Sequence, residues 1–174
     1  MINGSVQLRS PAFSNTWQLM ADDGTIIADL QRHSRMHVST VRFSNDVAWL
    51  VEPRGYGIVC ALEDGEVEVA RITRRSWMGR RWDLTSPTWA YDLVSDRTPR
   101  RWHLAVGSVE VARIAGSLVS YNRVRVTTSL AVPVATVILA WHVIARPWEA
   151  AAAPGGLVPI REPRPSPKPA TGAA

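Results

Sequence analysis

Leu130-Ala131-Val132-Pro133-Val134-Ala135-Thr136-Val137-Ile138-Leu139-Ala140-Trp141-His142-Val143-Ile144-Ala145 is the stretch on which the fold turns. Only Thr136 and His142 interrupt a run that is otherwise apolar or proline, and no polar stripe recurs at the helical period. Ser129 can cap a helix, Pro133 falls in its first turns where a missing N–H does least harm, and Pro147 ends it, so the pattern predicts a helix over 130–145. A helix apolar all round is buried in protein or in lipid. Sixteen residues span about 24 Å, short of the roughly 30 Å hydrocarbon core of a bilayer, and Arg146, Pro147 and Glu149 block extension. His142 would sit poorly in lipid, whereas a protein interior can offer its ring a partner. Burial in protein is the favoured reading, with Val134, Ile138, Trp141 and Ile144 as core positions; a short or tilted membrane anchor is the second.

Working towards the N-terminus, short alternating segments of β-branched and aromatic residues recur every eight to twelve positions, broken by Gly, Asp, Asn and Pro, the mark of an antiparallel sandwich or barrel. The first six expected strands lie near Val6 to Leu8, Trp17 to Met20, Thr25 to Gln31, Val38 to Arg42, Val47 to Glu52 and Gly57 to Leu62. Six more lie near Glu66 to Ile72, Arg81 to Leu84, Trp89 to Val94, Arg101 to Val106, Val109 to Ile114 and Val124 to Thr127. Asp22-Asp23-Gly24 and Glu63-Asp64-Gly65 separate two such segments each, with glycine supplying the positive φ of a tight hairpin turn. Their carboxylates do not continue into the alternate-position series that a calcium loop needs.

Val67-Glu68-Val69-Ala70-Arg71-Ile72 recurs identically as Val109-Glu110-Val111-Ala112-Arg113-Ile114, with a looser copy at Gly24 to Leu30. A period of about forty-two residues is in the range of propeller blades, but three units are too few for a propeller. The copies are read as equivalent hairpins of one sheet.

About twelve short strands followed by one wholly hydrophobic helix is an uncommon order. With the Trp-x-Leu, glycine-turn, Ala-x-Leu unit at Trp17, Leu19, Gly24, Ala28 and Leu30, the Trp102-His103-Leu104 strand with Gly107 to Ile114, and the turn from Arg74 to Trp82, the chain resembles the tubby C-terminal-like superfamily. That group takes in tubby, phospholipid scramblases and the LURP-one-related proteins of plants and bacteria, and the resemblance is to a bacterial member. It implies a mainly β fold, a closed antiparallel barrel of about twelve strands around one C-terminal hydrophobic helix, over 1–148. No acidic cluster stands beside the helix as a scramblase-type calcium site would require, and the phosphoinositide residues of tubby do not map onto particular positions here. Residues 149–174, rich in Ala and Pro, read as a disordered or polyproline tail.

The net charge of +5 comes almost wholly from arginine, Lys168 being the single lysine. Cys60 is alone, which excludes an intramolecular disulfide, and reads as a small buried hydrophobe in a strand. Met1 to Pro11 lacks the cationic and apolar regions of a secretory signal, so a cytoplasmic location is expected. His33, His37, His103 and His142 form no metal-ligand pattern, and the Gly-x-Ser-x-Gly, phosphate-loop and dinucleotide motifs are missing. No catalytic residue, metal site or cofactor is expected.

The most suggestive surface feature is Arg71, Arg74, Arg75, Arg80 and Arg81 interleaved with Trp77, Met78 and Trp82, echoed by Arg97, Arg100, Arg101 and Trp102. Guanidinium matches phosphate bidentately and tryptophan favours the headgroup boundary of a bilayer, which points to anionic membrane lipid. The bland reading is a solvated basic hairpin with its tryptophans turned alternately into the core. Nucleic acid is disfavoured by the want of lysine and of a known binding motif. The expectation is a non-enzymatic, monomeric binding or tethering module, meeting anionic phospholipid or an unidentified protein at the inner membrane face. Its rival is a membrane protein anchored by the 130–145 helix with a cytoplasmic β-domain.

Overall fold

The structure is a computed structural model that describes residues 1–11, 14–33, 37–54, 59–76, 78–117 and 122–152, with side chains in the last helix described as far as Ala145. Alternation and turn chemistry produce twelve strands where the sequence places them. They are β1 (Ser5–Arg9), β2 (Thr16–Ala21), β3 (Ile26–His33), β4 (Val38–Phe43), β5 (Ala48–Arg54) and β6 (Val59–Asp64). There follow β7 (Val67–Arg74), β8 (Arg81–Thr85), β9 (Ala90–Ser95), β10 (Arg101–Val106), β11 (Val109–Gly116), β12 (Arg123–Thr128) and the helix α1 (Val134–Ala152). Each strand pairs antiparallel with its chain neighbours, and β1 pairs with β12 from Ser5↔Thr127 to Arg9↔Arg123, so the sheet closes. Closure leaves no strand edge to recruit another chain. Residues 57 and 58, expected at the start of β6, lie outside the described residues.

Period-two alternation decides which side chains face the interior. In β12, Val124, Val126 and Thr128 are buried while Arg123, Arg125 and Thr127 are exposed. Cys60 is fully buried in β6 among the core residues, as its apolar setting implies.

The sequence repeat is the visible part of a threefold recurrence in the barrel. The hairpins β2–β3, β6–β7 and β10–β11 turn on Gly24, Gly65 and Gly107, each with positive φ (87°, 61° and 60°). All three shift register directly after a leucine, at Leu19, Leu62 and Leu104. Each of these leucines faces an alanine across the ladder, in the pairs Leu19↔Ala28, Leu62↔Ala70 and Leu104↔Ala112. One hairpin therefore recurs every four strands around the wall, and a large residue beside a small one leaves room for what fills the middle.

That filling is α1. Every residue from Ala135 to Ala145 is buried, three turns with no open side. Trp141 meets Trp17 of β2 edge-on, ring centroids 6.1 Å apart, and on another side the helix packs against β6 and β7. Of the expected core positions, Ile138, Trp141 and Ile144 are buried and Val134 packs half-buried against the same cluster. No helix among the described residues is long and apolar enough to cross a membrane.

The helix bounds differ from the 130–145 expected. Val132 pairs with Ile2 through two backbone hydrogen bonds of 2.7 and 2.9 Å, which holds that segment extended and delays the helix to Val134. Ser129 is not the cap: its hydroxyl donates to the carbonyls of Glu110 and Val111. At the other end the backbone stays helical through Pro147 to Ala152. Proline removes its own N–H but leaves the φ a helix needs, so it did not stop the helix here. The residues beyond 152 of the expected 149–174 tail lie outside the described residues.

One polar cluster locks the helix to the wall. Arg32, third in the inward series Ala28, Leu30, Arg32 of β3, is 2 % exposed; its Nη2 donates to the His142 carbonyl and its guanidinium lies over the Trp141 ring, 5.7 Å from the centroid. A charge-assisted hydrogen bond and a cation–π contact partner the buried guanidinium. The His142 ring, fully buried, bonds through Nδ1 to the hydroxyl of Ser39 on β4 at 2.9 Å.

Removing the filling should be worse than trimming the wall. Ile138→Ala is expected to cost about 2–5 kcal/mol by urea denaturation, and deletion of 129–148 to abolish the cooperative transition altogether. A stable, cooperatively folding deletion product would mean that the helix is not the core.

Candidate functional site

Because the strands run alternately up and down, their connections sort onto two ends. The helix starts beside Ile2 at one end, here called proximal, where β2–β3, β4–β5, β6–β7, β8–β9 and β10–β11 are joined. Its C-terminal part meets Trp17, Arg32 and Ser39 at the other, distal end, where the odd-to-even joins lie.

The distal rim collects arginine. Arg74 ends β7, Arg75 and Arg80 stand in the β7–β8 connection, Arg81 begins β8, Arg97 and Arg100 stand in the β9–β10 connection, and Arg101 begins β10. The two basic clusters, separate in sequence, are joined by backbone: the Ser95 N–H donates to Arg80 O and the Asp96 N–H to Arg101 O, both at 2.9 Å. Arg9, Arg54 and Arg123 complete the arc from the ends of β1, β5 and β12. Arg9 and Arg123 are direct cross-strand partners, a like-charge placement that costs stability.

Local chemistry shapes the β7–β8 connection. The Ser76 hydroxyl accepts the N–H groups of Arg80 and Arg81 at 2.9 and 3.1 Å, and Gly79 at φ 66° makes the reversal. Trp82 is turned inward at the rim, its indole N–H donating to the Gly79 carbonyl at 2.8 Å, and Trp102 is half-buried against the core. Both follow the alternation expected of a basic hairpin with inward tryptophans. Met78 stays exposed beside the arginines, and Trp77 lies outside the described residues.

Not every arginine is available to a ligand. Arg75 stands near Asp83 and Asp92 at 3.4 and 3.6 Å, and Arg54 pairs with Glu52 and Glu63. Arg9 is held by the Gln7 side chain, while the guanidinium nitrogens of Arg100 are shielded from solvent. Arg74, Arg80, Arg81, Arg97 and Arg101 are exposed and make no side-chain hydrogen bond or ion pair among the described residues. Arg71, expected with this group, does not join it. It lies mid-strand on the outer wall with its Nε on Glu68 Oε1 at 2.6 Å, a bond that raises its pKa above the ordinary arginine value. It borders a shallow depression of about 220 Å³ with Thr85, Ser86 and Pro87.

Sequence reasoning missed Arg9, Arg54 and Arg123. The available signal was positional: each stands where a strand meets an odd-to-even connection, but only a closed up-and-down order makes those connections neighbours. Comparison with known proteins finds no matching family model, no matching curated protein and no matching solved structure.

The role of Ser76 can be read amide by amide. Ser76→Ala is expected to cost about 1 kcal/mol locally, seen as faster hydrogen exchange at the Arg80 and Arg81 amides while β3 and β11 keep their protection. Unchanged exchange at those two amides would show that the hydroxyl does not hold the loop.

Proposed function

We propose that this chain is a tubby-like, non-enzymatic binding or tethering module, monomeric and cytoplasmic, whose distal rim docks on anionic phospholipid at the inner membrane face. The observation that carries the reading is the grouping of Arg74, Arg80, Arg81, Arg97 and Arg101, exposed and without side-chain partners among the described residues, on one end of a rigid barrel. Guanidinium holds phosphate through paired N–H donors and remains charged at any physiological pH, so it binds anions without giving or taking protons. That favours recognition over catalysis at the rim. Exposed Met78 supplies an apolar side chain among those cations. The sequence resemblance to the superfamily that includes phospholipid scramblases supports the same assignment. The rival arrangement, a protein anchored by the 130–145 helix, has less behind it, since from Ala135 onward that stretch has no side free for lipid.

Cations near an anionic leaflet contribute about 1 kcal/mol each. Sedimentation with phosphatidylserine-containing vesicles should therefore show binding that weakens about fivefold for Arg74→Ala, more than tenfold for Arg74→Ala/Arg81→Ala/Arg101→Ala, and falls with added salt. Arg71→Ala should leave it unchanged. Equal binding to neutral phosphatidylcholine vesicles, or indifference to the triple substitution, would sink the lipid assignment.

A further inference from the structure

The proximal end has the opposite chemistry. Of the large hydrophobic side chains left exposed among the described residues, Ile26, Val67, Val106, Val109, Leu130 and Met1 border it, while Met78 belongs to the distal rim. Ile26, Val67 and Val109 are the first residues of β3, β7 and β11, one in each turn of the threefold recurrence, so the apolar positions are spread around this end. Val106 and Val109 face each other across the β10–β11 ladder. β-branched residues are enriched in strands, which is a local reason for Ile26, Val67 and Val109 to stand there. Leu130 at 56 % exposure has no such reason to be there.

Carboxylates stand on one side of this end, beside Ile26 and Val67. Asp22 and Asp23 lie in the β2–β3 turn, Asp46 in β4–β5, and Asp64 and Glu66 flank Gly65 in β6–β7. None of the five is ion-paired among the described residues, and no arginine or lysine occurs in residues 1–4, 22–25, 44–47, 65–66, 86–89, 107–108 or 129–133. Two of these residues serve the turns themselves: the Thr25 N–H donates to Asp23 Oδ1 at 2.9 Å, which holds that carboxyl below the usual aspartate range, and Asp46 adopts φ 63°. Asp22, Asp64 and Glu66 have no hydrogen-bond role of that kind among the described residues.

We infer that the proximal end is a protein-docking surface for a cationic amphipathic segment of a partner, whose apolar side chains meet Ile26, Val67, Val106, Val109 and Leu130 while its Lys or Arg groups meet the carboxylates of the β2–β3, β4–β5 and β6–β7 turns. Charge complementarity selects this occupant. An anionic bilayer is repelled by the same carboxylates, and a second copy would have to offer its distal rim, in a head-to-tail contact that builds a ring or an open filament. The two ends would then bind different things, membrane at one and protein at the other, which gives tethering a physical form.

The test uses the full chain and a synthetic amphipathic Leu/Lys helix of about fourteen residues, long enough to present two helical faces, with a Ser/Lys peptide of equal charge as control, read by calorimetry. The Leu/Lys peptide should bind, about tenfold more weakly to Val67→Ser/Val109→Ser and to Asp22→Asn/Asp64→Asn, and equally well to Arg74→Ala/Arg81→Ala. That last variant separates this surface from the lipid assignment. Circular dichroism melts matching the unsubstituted chain would show that the exposed substitutions leave the fold intact. If melts drop, single Val109→Ser and Asp64→Asn variants carry the comparison. Binding that ignores both pairs of proximal substitutions, or that is as tight for the Ser/Lys peptide, overturns the inference. Self-association in sedimentation equilibrium that Val67→Ser/Val109→Ser abolishes would assign the face to a second copy and overturn it equally.

Discussion

Everything in this molecule depends on a volume constraint: a sheet of twelve strands encloses more space than its own inward side chains can fill, and interiors tolerate few voids. Water cannot occupy an apolar lumen cheaply, so a second element must, and it has to be apolar on every face. The run from Ala135 to Ala145 meets that demand, and its lack of a polar stripe follows from being surrounded. The same constraint accounts for the Leu–Ala ladder pairs, where a small residue on one strand gives the helix clearance beside a large one.

A wall with threefold recurrence surrounds a helix that has none, so equivalent wall positions meet different surfaces. Alternation carries Arg32 inward after Ala28 and Leu30; the corresponding series in β7 and β11 end at Arg74, exposed at the rim, and at Gly116. A buried cation is costly unless it finds good partners, and Arg32 finds the His142 carbonyl and the Trp141 ring. Breaking the symmetry at that one position fixes how the helix is rotated and how deep it sits.

Local patterning made most of this architecture legible beforehand. Strands, glycine turns and the helix type all follow from neighbours within a few residues, and each was readable for that reason. What depends on distant partners was not. The helix start was read four residues early because Val132 is held by Ile2, at the opposite end of the chain. Arg32 lay in an ordinary-looking strand, although its place two residues after Leu30 was the clue that it points inward. The basic surface was half visible: the dense arginine runs at 74–81 and 97–101 could be seen, whereas Arg9, Arg54 and Arg123 join them only once the strand order closes. Arg71 was read as one of the group from its nearness in sequence, but three residues along a strand, about 10 Å, is enough to take it from rim to wall.

The ladder that closes the barrel joins β1 to β12, residues separated by more than a hundred positions. During synthesis the first strand therefore waits, with one edge unpaired, until almost all of the domain has been made, and the lumen stays unfilled until the helix follows. Contacts of such long sequence separation slow folding and prolong exposure of sticky intermediates. This barrel, once shut, presents no edge at all; its vulnerable period is the interval of translation before the last hydrophobic segment arrives, when a ribosome-bound chaperone would have the most to protect.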